Sequence, residues 1–372
     1  MPAKAKLVAA LVDELAPPEL AADWDNVGWQ LGDPGSGVGR VMVALDVTPE
    51  VCAEARDRGV GLIVCHHPLL FKSVKSIRTD QPGGALLAEL IRSNIAVYTA
   101  HTNLDAANGG VNDVLARRLG LTGLQVLKPG PGESYLKLVV FVPVEHTDAV
   151  REAVGRAGAG WIGNYSDCAF QLRGTGTFRP REGANPYLGR QGQLEMVEEM
   201  RLETIVRARD VSSVVRAMLA AHPYEEAAYD LYPLKNQGPS QGFGRVGKSA
   251  GEMPLADYVQ FVKAGLNLAG LRYGGELSRM VRKVAVCGGS GADFWPLAAR
   301  AGADVLVTGD IGYHAAVDMR AAGLAYIDAG HYCSERVVVP EVYDHLVRRC
   351  REEGLEVEII KSQAGKDPFL FG

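Results

Sequence analysis

Short apolar runs alternate with stretches of helical period from residue 41 to residue 119, and the same rhythm resumes at residue 284. In the first block, apolar runs at 41–45, 62–65 and 95–100 predict strands, and helices are expected near 49, over 85–92 and over 111–119. In the second, 284–287, 304–308 and 324–327 read as strands, with helices over 294–300, 314–322 and 335–352. Such alternation predicts parallel strands with helices on both faces, a three-layer α/β arrangement.

Between the blocks the texture changes. The turn-rich Lys128-Pro129-Gly130-Pro131-Gly132 precedes expected strands at 135–142, 171–178, 195–207 and 227–232, and helices at 147–157 and 211–220. That β-α-β-β-α-β order is that of a ferredoxin-like α+β unit, and it closes at the turn-rich 236–240. The chain of 372 residues exceeds the ~250–300 that one core usually reaches, so two domains are expected. They read as a split α/β domain, residues 1–128 and 242–372, interrupted by an inserted domain of residues 129–241.

A net charge of -5 disfavours a nucleic-acid surface, and no run approaches the ~20 apolar residues of a membrane span. Lys4 and Lys6 precede an apolar stretch, as in a signal peptide, but Asp13 and Glu14 interrupt it, so an amphipathic first helix is expected. Cys52, Cys65, Cys168, Cys287, Cys333 and Cys350 are scattered without C-x-x-C spacing, which points to reduced thiols and a cytoplasmic setting.

Three strand ends carry ligand-type side chains. His66 and His67 terminate one apolar run, with Pro68 stopping the strand. Neighbouring side chains on an extended strand point to opposite sides, so both imidazoles reach one metal only if the strand end turns; otherwise they serve two metals. His331 and Glu335, four apart, project together from the first turn of a helix. The plainer reading makes Ser334 a helix cap and Glu335 a charge at the positive end of the dipole. His101 and Asp105 sit in an expected loop, where Asp105 is the better metal ligand and His101 a supporting or acid/base group. An Asx turn is the plainer role for Asp105.

Two glycine-rich stretches compete for attention. Residues 242–249 satisfy G-x-x-x-x-G-K-S, but a phosphate loop needs a buried strand before it and a helix after it. Asn236 to Gln241 upstream and Gly251 and Pro254 downstream supply neither, so nucleotide hydrolysis there is not expected; Arg245 alone is retained as a contact for an anionic substrate. Gly289 and Ser290 follow an expected strand and have the free N–H groups to hold a phosphate or carboxylate, or else form a tight βα turn. His314 is a further candidate for the same pocket; His146, His222 and His345 read as surface or structural.

Together, Trp24-Asp25-Asn26-Val27-Gly28, Ala44-Leu45-Asp46-Val47-Thr48, Cys65-His66-His67-Pro68, His101-Thr102-Asn103-Leu104-Asp105, Thr308-Gly309-Asp310 with His314, and Gly330-His331-Tyr332 with Ser334-Glu335 resemble the Nif-three-like dinuclear metal proteins, often labelled GTP cyclohydrolase I type 2 homologues. The resemblance implies two divalent metals held by His66, His67, Asp105, His331 and Glu335, with His101 close by. It also implies a toroidal homo-hexamer, and an insert similar to PII or CutA proteins on the strength of His222-Pro223-Tyr224-Glu225-Glu226 and Tyr229-Asp230.

Five protein ligands shared by two metals leave positions open, as in catalytic centres, and mixed imidazole and carboxylate donors suit zinc, iron, manganese or nickel. The expected activity is metal-dependent hydrolysis of a nucleotide or related small molecule, with His101 or His314 moving protons. The rival expectation is a non-catalytic metal-handling or regulatory protein that senses a small effector through its insert.

Overall fold

A computed structural model describes residues 3–130, 134–236, 238 and 240–370. The chain forms two compact units, Met1–Pro131 with Gln241–Gly372, and Gly132–Ser240. The turns expected at 128–132 and 236–240 fall partly on Pro131, Gly132, Gln237 and Pro239, which lie outside the described residues.

The first unit is mixed α/β and, among the described residues, holds two large sheets beside a two-stranded pairing of Ala3–Lys4 with Gly37–Val38. One is five-stranded, in the order Glu358–Lys361, Arg40–Ala44, Leu62–Cys65, Ala96–Thr99, Gly28–Leu31, with only the last strand antiparallel. Its strands are apolar on both faces because both faces are covered. Val41, Val43, Leu62 and Val64 pack under the helices Ala5–Leu15 and Val339–Glu352. The alternate residues Met42, Ile63 and Val97 pack under Pro49–Asp57 and Pro82–Arg92.

The second sheet is six-stranded, in the order Arg272–Gly274, Ala325–Asp328, Val305–Thr308, Met280–Val286, Gly242–Pro254, Thr122–Pro129. Its parallel core lies between Leu255–Gly265 with Val111–Arg118 on one face and Trp295–Arg300 with Tyr313–Ala321 on the other. The single sandwich anticipated from the alternation is thus two sheets, each with its own helices.

The glycine-rich stretch with the phosphate-loop spacing is the strand Gly242–Pro254, paired antiparallel to both neighbours, and Lys248 on it is exposed. Arg245 is not free for a substrate, contrary to expectation. It is 2 % exposed, pairs with Asp113 at 2.5 Å, and donates to the carbonyls of Gly242, Gly244 and Ala107. Arg245→Ala leaves the half-buried Asp113 carboxylate with only the Gly109 N–H, and three buried carbonyls without their donor, so we expect a loss of about 3–5 kcal/mol in denaturant unfolding. A loss below about 1 kcal/mol would show that the pair holds nothing.

The second unit is one antiparallel sheet ordered Tyr229–Leu234, Tyr135–Pro143, Glu195–Arg207, Ala169–Phe178. Thr147–Arg156 and Val211–Ala221 cover one face, burying Leu138, Val140, Leu202, Val214 and Met218. The chain order is β-α-β-β-α-β. Among the described residues no helix is long and apolar enough to cross a membrane, and all six cysteines are unpaired.

Candidate metal centre

The strand Leu62–Cys65 ends in a turn rather than continuing. The N–H groups of His66 and His67 both donate to the Leu45 carbonyl, at 3.1 and 2.9 Å. The turn breaks the alternation of side chains and sets the two imidazoles 5.0 Å apart between ring centroids. His66 donates from Nδ1 to the Ala100 carbonyl at 2.8 Å, which leaves Nε2 as a lone-pair acceptor.

His331 and Glu335 are the ends of a five-residue helix, His331–Glu335, so their side chains share a face. Ser334 is no cap: its hydroxyl donates to the His331 carbonyl and accepts the Gly289 N–H at 3.0 Å. His101 precedes another short helix, Thr102–Ala106, where a loop was expected. Asn103 donates from its side chain to the Ala16 carbonyl and helps hold that helix in place.

These ends converge. The Oε2 of Glu335 lies 2.8 Å from His67 Nε2 and 3.1 Å from His331 Nε2, and its Oε1 lies 3.8 Å from His66 Nε2. Asp105 Oδ1 is 3.7 Å from the same His66 nitrogen. His66, Asp105 and Glu335 form one group able to hold a metal ion; His67, His331 and Glu335 form another; His66, His67 and His101 form a third.

Two atoms test the fit. His66 Nε2 and Asp105 Oδ1 are buried and have no hydrogen-bond partner. With Asp105 ionised both present lone pairs, and at 3.7 Å neither satisfies the other; burying such groups unpaired is costly. A cation between them removes that cost, and the imidazole and carboxylate donor set suits a divalent transition metal.

Each imidazole is also held from behind. His67 donates from Nδ1 to Asp46 at 2.6 Å, His331 to Asp310 at 2.7 Å, and His101 to Asp25 at 2.9 Å. Such contacts fix the ring so that the remaining nitrogen faces the ligand. Asp310 takes a left-handed φ of 54° in this role. Burial would raise the Asp25 carboxyl, but hydrogen bonds from His101 and Thr102 bring it down to about 2. None of these three aspartates is expected at the site from sequence alone, although each lies in a stretch that carries the resemblance.

The electrostatics are those of protons standing where a cation would bind. Burial works against the charge on His67, yet Asp46 and Glu335 push it up to about 10. Glu335 raises His331 to about 9. Burial raises Asp105 to about 7, and although burial also opposes ionisation of Glu335, His331, His66 and His67 hold it well below the usual carboxylate range.

A metal must displace these protons, so affinity should fall as pH falls below about 9 to 10 and more steeply below about 7. Titration calorimetry at neutral pH in buffers of different ionisation enthalpy should show net proton release on zinc or manganese binding. Heats independent of the buffer would contradict it. The metal-free fold has the opposite slope. Its stabilisation by the charged imidazoles is complete below the ordinary histidine value of 6.5 and is lost as pH rises through about 9 to 10.

The centre opens into a cavity of about 670 Å³. His67, His101, Asp105, His331 and Glu335 line its base, and Trp24, Phe71, Phe243 and Phe294 supply aromatic walls. Lys128 lies over the Phe243 and Phe294 rings, at 5.8 and 5.2 Å from their centroids. Trp24 opens one of the stretches that carry the resemblance, but Lys128, Phe71, Phe243 and Phe294 were not expected at the site, because nothing in their local spacing marks them.

Three expectations are corrected. Arg245 does not line this cavity. His314 is exposed at the start of Tyr313–Ala321, edge-on to Tyr313, and does not line it either. Ser290 is on the wall, but the glycine loop is no ready anion nest. The Gly288, Gly289 and Gly291 N–H groups are already bonded to Asn112, Ser334 and Thr308. Gly289 instead packs against the ligands, where an added Cβ would come 2.0 Å from Glu335 Oε1.

The model of the Duf34/NIF3 (NGG1p interacting factor 3) family matches residues 3–368. The chain is 45% identical over 369 residues to the GTP cyclohydrolase 1 type 2 homolog of Halalkalibacterium halodurans, covering 99% of each. Its identity to the protein of the same name in Bacillus subtilis is 44% over 364 residues, covering 98% of this chain and 97% of that one. Among solved structures, a Bacillus cereus protein related to NIF3 superimposes with a TM-score of 0.93 at 45% identity, over 100% of both chains.

Proposed function

The chain belongs to the Duf34/NIF3 family, and from that premise we propose that it is a dinuclear metal protein acting as a metal-dependent hydrolase on a nucleotide or related small molecule. The observation that carries the reading is Glu335, whose two oxygens reach separate groups of ligands. His66 and Asp105 would hold one divalent ion, His67 and His331 the other, and Glu335 both. Zinc, iron, manganese or nickel fits these donors. Bound there, such ions supply Lewis acidity and lower the pKa of water toward neutrality.

The chain's own residues would do the rest. His101, anchored through Nδ1 on an ionised Asp25, keeps Nε2 toward the cavity to take or give a proton at the reacting atom. Trp24 and Phe71, 65% and 54% exposed, offer a planar group a wall that excludes water. Among the described residues Lys128 is the one lysine or arginine on the lining, and it would face an anionic group.

The same reading includes a homo-hexamer in the cytoplasm and an insert of PII or CutA type, which the resemblance of the motifs supports. Sedimentation of the full chain checks the assembly, and a monomer ends that part.

The test of function is a turnover screen on metal-loaded protein, with GTP and phosphoesters as probes, beside the His67→Ala variant. Turnover that disappears in the variant sustains the hydrolase. Turnover that persists there places the chemistry elsewhere. A second reading, regulation through the inserted unit, is favoured by a cavity in that unit, and absence of turnover in fully loaded protein would support it.

A further inference from the structure

In the second unit, Glu199 on the strand Glu195–Arg207 pairs with Gly174 on Ala169–Phe178. It is 7% exposed, an unusual place for a carboxylate without a cation. Among the described residues no arginine pairs with it: Arg201 Nε lies 2.8 Å from Glu203, and Arg173 makes only a solvent-exposed pair with Glu198, at 2.5 Å, which an anion in the cavity can replace. Among the described residues, the one side-chain hydrogen bond of Glu199 is from the Tyr224 hydroxyl to Oε1, at 3.1 Å. Burial raises the Tyr224 phenol, and so does Glu199, which keeps Tyr224 a donor.

Oε2 has no such partner, and the strand beside it is cut away to make room. A Cβ on Gly176 would sit 2.0 Å from that oxygen. The carboxylate faces a cavity of about 650 Å³ whose lining lies wholly within this unit. Three rings gather on it: Phe178 and Tyr187 lie 5.8 and 6.2 Å from Tyr224 between centroids. Exposed Arg173 and Arg181 also line it.

This combination selects a ligand. A buried carboxylate with a spare oxygen accepts N–H donors, the rings accept a planar heterocycle, and the arginines accept an anion. We propose that this cavity binds a guanine nucleotide, with the N–H edge of the base on Glu199, the ring among the tyrosines and the phosphate toward Arg173 and Arg181. Guanine is the purine with two adjacent N–H donors on one edge. Adenine sets a ring nitrogen lone pair beside its amino group, and that lone pair would meet the carboxylate with no proton between them.

The proposal does not rest on the hydrolase reading, and its test separates the two. Calorimetric titration of the full chain with guanosine 5′-monophosphate should show binding, with adenosine 5′-monophosphate weaker on the order of tenfold or more. Glu199→Gln should erase most of that preference. Arg181→Glu, on an exposed position where folding is not at risk, should weaken both nucleotides. His67→Ala at the metal centre should leave guanosine monophosphate binding as it was. Equal affinity for the two nucleotides overturns the assignment of the base, and no measurable binding of either overturns the site. Binding lost in His67→Ala but kept in both Glu199→Gln and Arg181→Glu puts the nucleotide at the metal centre and also overturns it.

Discussion

Glu335→Ala is expected to empty the metal centre, with affinity for zinc or manganese falling on the order of a hundredfold or more. Among the described residues no other carboxylate takes part in both candidate groups, His66 with Asp105 and His67 with His331. It is 3% exposed, so water cannot stand in for it without entering a packed site. The loss should be larger than for Asp105→Ala, which removes a donor from one group only. Elemental analysis after dialysis reads the metal content directly. Whatever metal still binds the variant should release fewer protons, because Glu335 is the leading cause of the high His331 value and a contributor to that of His67. Full metal content in Glu335→Ala would remove the basis of the proposed function.

Gly289→Ala is expected to do nearly the same damage while leaving every ligand in place. Gly289 has a φ of +62°, which costs an alanine about 1 kcal/mol, and that alone is tolerable. The larger cost is steric. The new methyl would lie 2.0 Å from Glu335 Oε1, 2.9 Å from its Cδ and 3.3 Å from His331 Nε2. A glutamate end usually swings aside, but this one is buried and bonded to His67 and His331. The carboxylate has to leave its partners or the glycine loop has to retreat, and either change spoils the ligand set. Gly302→Ala is the control, since its φ is +71° and nothing lies within 4 Å of the added carbon. It should pay the backbone cost alone and keep its metal. Wild-type metal content in Gly289→Ala would show the loop to be a passive turn.

The difference between these positions shows what local sequence conveys. His66 and His67 were candidates because paired imidazoles at the end of an apolar run have few plain uses, whereas His331 and Glu335 had a plain use as a helix start and became candidates only in combination with the other stretches. Arg245 was misread because a charged residue among glycines looks like a loop contact, whereas pairing on both edges makes the segment a strand and buries the guanidinium against Asp113. Strand preference depends on neighbours more than on the residue itself, so a glycine-rich strand is hard to recognise alone. His314 erred the other way: it follows the strand Val305–Thr308, as a site residue would, but the first turn of its helix points it to solvent.

The alternation of apolar runs and helical stretches determined by itself that the chain builds covered sheets, since period and hydrophobicity are written in neighbouring residues. Ligand chemistry and its position at strand ends were likewise carried by short segments. Only the tertiary structure decided that the strands of the first unit divide between two large sheets, that Asp25, Asp46 and Asp310 each back one imidazole, and that Gly289 clears space for Glu335. Those facts depend on which distant atoms come within about 3 Å of each other. Such distances are set by how the sheets and helices pack together, and a one-dimensional pattern does not encode them.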